Sequence, residues 1–249
     1  MRISHSGDGC GDSWPLCHGE LIPQVSQGKT WVEFSHRLTS GLFGLLVLAL
    51  FLWSRRLYPV GHIVRKAALW TLFFTITEAL LGAKLVLFGL VGNVDSLFRL
   101  ITMSLHQVNS LVLSGCVSWL LLAAQDRCAP NVGAALRKQI KSLLIFLLVA
   151  TSGAWAALST TLFPSESLWE GLLTDFHPDS HWLLKLRAVH PVLGLLLGGS
   201  LSAWLWQKGS LENQAASATM SLLVVIGMLT LLMLSPLPMK VLHLSLIHI

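Results

Sequence analysis

Residues 31–56 read WVEFSHRLTSGLFGLLVLALFLWSRR, and no charged side chain interrupts them from Leu38 to Ser54. A helix rises about 1.5 Å per residue, so about 20 apolar residues cross a hydrocarbon layer roughly 30 Å thick. The stretch reads as a membrane helix over 34–53. Glu33, His36 and Arg37 stand at its entry, and Arg55 and Arg56 close it.

The same reading applied outward gives further crossings near 67–90, 100–124, 142–162, 183–206 and 217–236. A seventh begins near 240 and reaches Ile249, too short a run to cross. The composition agrees: 53% of the 249 residues are hydrophobic and 12% are charged, against about 25% charge in soluble domains. This excludes a typical soluble enzyme. The net charge of +5 is gathered in short loops, which marks membrane topology and not a nucleic-acid surface. The expected fold class is all-α, a polytopic transmembrane helical bundle.

Arg55, Arg56, Arg65 and Lys66 follow the first crossing, and Arg127, Arg137, Lys138 and Lys141 follow the third. By the positive-inside rule both loops face the cytoplasm. The loop 163–182 carries Glu166, Glu170, Asp175 and Asp179 and faces outward. The segment with Cys10 and Cys17 faces the same way, where disulfides persist. The expected location is the plasma (inner) membrane, with the cysteine loop on the outer face. An outward start also calls for one helix before residue 1. With the last crossing completed, eight helices result.

In this topology His36, His106, His190 and His243 each fall in the outer third of a helix running inward. They divide the chain into two tandem four-helix halves, 1–126 with His36 and His106, and 127–249 with His190 and His243. Identity between the halves is faint, so the repeat rests on topology, an arrangement known among membrane proteins. Two imidazoles on facing helices are how a bundle supplies both axial ligands to heme iron. Small residues beside them, Ser40, Gly41, Gly44, Ser152, Gly153, Ala154, Gly194, Gly198 and Gly199, make room for a flat ring or simply pack helices. Arg37, Arg99, Arg187 and Lys240 near the outer ends are candidate propionate partners, or cations snorkelling to the interface. Glu33 stands one turn before His36 on the same face. Glu78 is an acid in mid-membrane, expensive unless paired, and expected to line a proton path or bond a neighbouring helix. Cys10 and Cys17 are open between a disulfide, free thiols and a metal site with His5 and His18. Cys116 reads as an inert small hydrophobe and Cys128 as a reduced loop thiol. His177 and His181 belong to the acidic outer loop.

The run Gly9-Cys-Gly-Asp-Ser-Trp-Pro-Leu-Cys17-His-Gly-Glu-Leu-Ile-Pro23, followed by Glu33-Phe-Ser-His-Arg-Leu-Thr-Ser-Gly41, resembles the heme A synthase family, which includes mitochondrial COX15. Leu105-His106-Gln107, Leu186-Arg187-Ala188-Val189-His190-Pro191 and Pro236-Leu237-Pro238 before Leu242-His243 resemble its other landmarks. The resemblance covers the whole chain, without the family's first helix and with its last cut short. It implies oxidation of the C8 methyl of heme O to a formyl group through hydroxymethyl heme, giving heme A. It implies His36 and His106 as ligands of the substrate heme, His190 and His243 as ligands of a cofactor heme b, Glu33 as the essential acid, and Cys10–Cys17 as an external disulfide. The partners it implies are an electron donor, the farnesyltransferase that makes heme O and the terminal oxidase that receives heme A. Membrane lipid surrounds the chain, self-association is open, and nucleic acid has no part.

Two other classes share the four histidines. A bis-histidine membrane cytochrome transfers electrons and leaves heme O unchanged. A heme transport or assembly protein exchanges heme and makes no aldehyde. The cytochrome reading does not account for Glu33 or the two-cysteine loop.

Overall fold

Backbone groups in hydrocarbon must be satisfied within their own segment, which leaves helices as the element for runs of this composition. The computed structural model describes residues 6–24, 27–127 and 132–246, and there it is an all-α membrane bundle without a β-sheet. Eight helices occur among the described residues: α1 Gly28–Leu57, α2 Ile63–Leu87, α3 Leu97–Ala124, α4 Val132–Leu162, α5 Leu168–Phe176, α6 Trp182–Gln207, α7 Leu211–Leu232 and α8 Leu237–Leu246. Six of them, α1 to α4, α6 and α7, are long and apolar enough to cross a membrane. His5 and Cys128 lie outside the described residues.

Several helices begin on a side chain that accepts from a free backbone N–H, the usual N-terminal solution. Ser96 receives Arg99 N, Ser167 receives Glu170 N, Ser210 receives Asn213 N, and the His62 and His181 rings receive Val64 N and Leu183 N. α1 starts six residues before the apolar run expected at 34. Its first turns carry the buried Thr30 and Glu33, so the helix extends beyond the apolar stretch.

The chain divides into two compact units, residues 1–137 and 138–249. In the first, α2 packs most extensively on α3 and less on α1. The loop 6–24 is fastened to the start of α1, where a Cβ on Gly9 would lie 2.5 Å from the Lys29 carbonyl oxygen. Only glycine permits that approach. In the second unit, Ser202 Oγ bonds Ser217 Oγ at 2.9 Å and Ser221 Oγ at 2.7 Å, joining α6 to α7 through hydroxyls. α7 turns into α8 through Leu234 and Ser235, both left-handed at φ 57° and 58°.

α6 is not regular. Pro191 has no N–H for the Arg187 carbonyl, and the helix breaks at Ala188. It resumes over Val189–Leu193, passes through a π turn at Gly194–Gly198, and returns to α geometry at Gly199–Gln207. Its N-terminal end is anchored by Arg187. The guanidinium donates through Nε and Nη2 to Asp175, with Nη2 2.5 Å from Oδ1, and through Nη1 to the Phe163 carbonyl at 2.9 Å. Asp175 is buried and the Arg187 side chain is 12% exposed.

Removing one partner of a buried ion pair costs about 3–5 kcal/mol, because the other charge stays without compensation. Asp175→Ala should therefore lower the thermal midpoint in detergent and speed proteolysis within 163–181. Unchanged melting and cleavage would show that the anchor is dispensable.

Candidate functional site

The loop that holds the cysteines closes on itself before it meets α1. Cys10 and Cys17 form a disulfide with their Cα atoms 4.5 Å apart. Cys17 and Glu20 exchange backbone hydrogen bonds of 3.1 and 3.0 Å, and Cys17 and Cys10 are both fully buried. His18 Nε2 meets the Gly9 carbonyl at 2.9 Å. Among the described residues no group of three or more His, Cys, Asp or Glu side chains is placed to hold a bare metal ion.

Glu33 is the peg on which this loop hangs. It is 0% exposed. Its Oε2 accepts from the Cys10 backbone N–H at 2.9 Å, and its Oε1 accepts from Arg37 Nη2 at 2.5 Å. Arg37 Nη1 in turn donates to the carbonyls of Ser13 and Leu16, at 2.5 and 2.6 Å. One turn of α1 thus supplies an acid for the loop's N–H and a cation for its carbonyls. The sequence placed Glu33 and His36 on one face. The burial of the acid beneath the disulfide was not legible, because it needs the fold of residues 8–20.

In the first unit, His36 lies within electrostatic range of His106, Glu33 and Glu78. His36 is exposed along α1 and His106 is half-buried on α3. His106 Nδ1 lies 3.3 Å from Glu78 Oε1 on α2, off the hydrogen-bonding direction. Gly82, one turn beyond Glu78, faces the same ring: a Cβ there would sit 3.7 Å from His106 Cε1.

The second pair is closer. His190 on α6 and His243 on α8 have ring centroids 6.2 Å apart and planes inclined at 67°. His190 Nδ1 is engaged by Ser152 Oγ at 3.1 Å and the Val149 carbonyl at 3.2 Å, both on α4. His243 Nδ1 is buried without a hydrogen-bond partner. Glycines underlie both rings. A Cβ on Gly153 or Gly227 would come within 3.0 Å of His190 Cε1 or His243 Cε1. Of the small residues expected to make room, Ser152 and Gly153 therefore do so for an imidazole. Gly41, Gly194 and Gly199 face open space. Gly82 and Gly227 were missed, since a single glycine in an apolar run gives no sign of which helix faces it.

Arg37 and Arg187 spend most of their donors on loop carbonyls and carboxylates. Arg99 donates to the carbonyls of Gly92 and Val94 at 2.8 and 2.7 Å and leaves a buried Nε without a partner.

A family described as cytochrome oxidase assembly protein, COX15-CtaA, matches residues 1–249. The chain belongs to the COX15-CtaA family. This member is 36% identical to a protein of Thermus thermophilus named protoheme IX farnesyltransferase, over 100% of the chain and 43% of that protein. It is 34% identical to a heme A synthase of Exiguobacterium sibiricum over 60% of the chain and 50% of that protein. It is 44% identical to a heme A synthase of Shouchella clausii over 34% of the chain and 28% of that protein. The COX15-CtaA chain thus spans less than half the length of its Thermus relative. No solved structure matches it.

Hydrogen bonds to charged groups contribute about 1.5–3 kcal/mol each. Glu33→Gln removes the charge from two of them, so the loop should open about tenfold more often or better. After mild reduction, maleimide should label Cys10 and Cys17 correspondingly faster. Labelling at the wild-type rate would show that Glu33 does not hold the loop.

Proposed function

We propose that this chain carries the heme-handling core of a heme A synthase in the plasma membrane, with the disulfide loop on the outer face. The reading has His36 and His106 bind the substrate heme O, and His190 and His243 bind a heme b. The observation that carries it is the 6.2 Å separation of the His190 and His243 rings. His190 and His243 would hold the heme iron between them, since a metal–imidazole bond of about 2 Å, with about 1.1 Å from nitrogen to ring centre, would put two imidazoles on one metal roughly 6 Å apart. Engagement of His190 Nδ1 by Ser152 and Val149 leaves Nε2 as the free donor, the usual arrangement for a ligating histidine. His190 and His243 fit a heme.

The reaction is oxidation of the C8 methyl of heme O by two successive hydroxylations. Hydroxymethyl heme forms first, then a gem-diol that loses water to leave the formyl group of heme A. Bound heme supplies the redox chemistry that no side chain here can. The chain's own part is to hold and orient. His36 and His106 fix the substrate, and Glu33 sets a negative charge one turn from His36 while securing the loop above it. Arg37 and Arg187 serve the outer edge of the two sites as fixed cations. Each hydroxylation consumes one dioxygen with two electrons and two protons and releases one water, so dioxygen and an electron donor are both required, and a terminal oxidase takes the product. The name of the Thermus relative supports a heme farnesyltransferase as the neighbour that supplies heme O.

The test is expression with a heme O supply, followed by heme extraction and mass analysis. Heme A and hydroxymethyl heme should appear, and His36→Ala or His106→Ala should abolish both. Glu33→Gln should keep bound heme and lose most product. Heme b bound beside unchanged heme O, with a competent donor present, would instead select an electron-transferring cytochrome or a heme carrier.

The glycines beneath the second pair give an independent check. Gly227→Ala pushes on His243 and should weaken heme retention about tenfold or more, the scale on which groups supporting a ligand act. Gly115→Ala on α3, where a Cβ would meet nothing within 4 Å, should leave the heme-to-protein ratio unchanged.

A further inference from the structure

Glu78 is an acid among membrane helices that the reaction above leaves without a task, and its surroundings are built around it. Asn109 Nδ2 on α3 donates to Glu78 Oε2 at 2.7 Å and to the Phe74 carbonyl at 2.9 Å. Thr77 Oγ1 lies 2.6 Å from Asn109 Oδ1. Two acceptor oxygens cannot approach so closely without a proton between them, so the Thr77 hydroxyl donates there. That bond fixes the amide with its N–H groups toward the acid. Two side chains, Asn109 on α3 and Thr77 on α2, together with the Phe74 carbonyl, therefore hold Glu78 by one oxygen. The other oxygen lies 3.3 Å from His106 Nδ1. His106 Nδ1 is buried and has no hydrogen-bond partner of its own.

We propose that Glu78 is a positioning residue for His106. Its carboxylate accepts the Nδ1 proton, fixes the ring, and makes Nε2 a stronger donor toward the iron of the first unit. The inference rests on the heme reading above. Its force comes from a contrast between the two pairs. The second unit engages His190 Nδ1 with neutral groups, a serine hydroxyl and a backbone carbonyl. The first presents a charged acid to His106. A carboxylate-backed imidazole is the more basic ligand and stabilises the oxidised iron. The two irons are thereby set at different potentials by their surroundings, with the lower one at the substrate.

The experiment is a redox titration with low-temperature electron paramagnetic resonance on the full chain purified with its hemes. Glu78→Gln, which keeps the shape of the side chain and its bond to Asn109, should raise the midpoint potential of one heme component, alter its g values and leave the other unchanged. The shifted component should be the one that His106→Ala removes. Asn109→Ser, which leaves the acid but frees it, should shift the same component in the same direction by less. Unchanged potentials and g values in Glu78→Gln would overturn the inference while the ligand assignment stands. Retention of both hemes in His106→Ala would overturn the ligand assignment, and this inference with it.

Discussion

Within a bilayer a polar side chain is tolerated where another polar group answers it, and that constraint orders the interior of both units. Water is not there to satisfy an imidazole, an amide or an acid, so each must be met by a neighbouring helix. Glu78 is met by Asn109, Asn109 by Thr77 and the Phe74 carbonyl, and His190 by Ser152 and the Val149 carbonyl. These contacts fix which faces of α2 and α3, and of α4 and α6, are turned toward each other. Apolar packing alone would not, because lipid tails solvate leucine as well as a helix does. The register of the bundle is written in its few polar residues.

Near the start of α1 and of α6 a second device appears, an arginine that gathers carbonyls. Arg37 collects those of Ser13 and Leu16, and Arg187 that of Phe163, while a buried carboxylate, Glu33 or Asp175, neutralises each cation. A planar guanidinium suits this work, since its donors spread in one plane and reach several loop segments at once. The loops outside the membrane are thereby tied to helix positions within a turn of the histidines.

How much of this was readable in the residues depends on the range of the interaction. The crossings were legible because hydropathy is a local property summed along one segment, and each expected apolar run lies largely within a helix. The ends were less so, because α1 begins at Gly28 through groups that only a folded loop can satisfy. The histidines stood out as polar residues in apolar runs. Their immediate supports did not: Gly82, Gly227 and Asn109 are unremarkable in sequence and acquire meaning only when a particular helix faces them. Glu78 announced itself as costly, and the structure supplies the partner. The π turn in α6 had signals that were not read as such: Pro191 stood only as part of the family landmark, and the glycines at 194, 198 and 199 as room for a flat ring or as helix packing.

That π turn has a consequence for comparing sequences. A π turn takes in one residue more than an α turn, so everything after Gly198 stands one position out of phase with an unbroken helix. Ser202, which meets Ser217 and Ser221, lies beyond the slip, and His190 lies before it. An alignment of α6 with a regular membrane helix that keeps the histidine in register will therefore misplace the serine face by one residue. Alignment without a gap can match one end of this helix or the other, but not both.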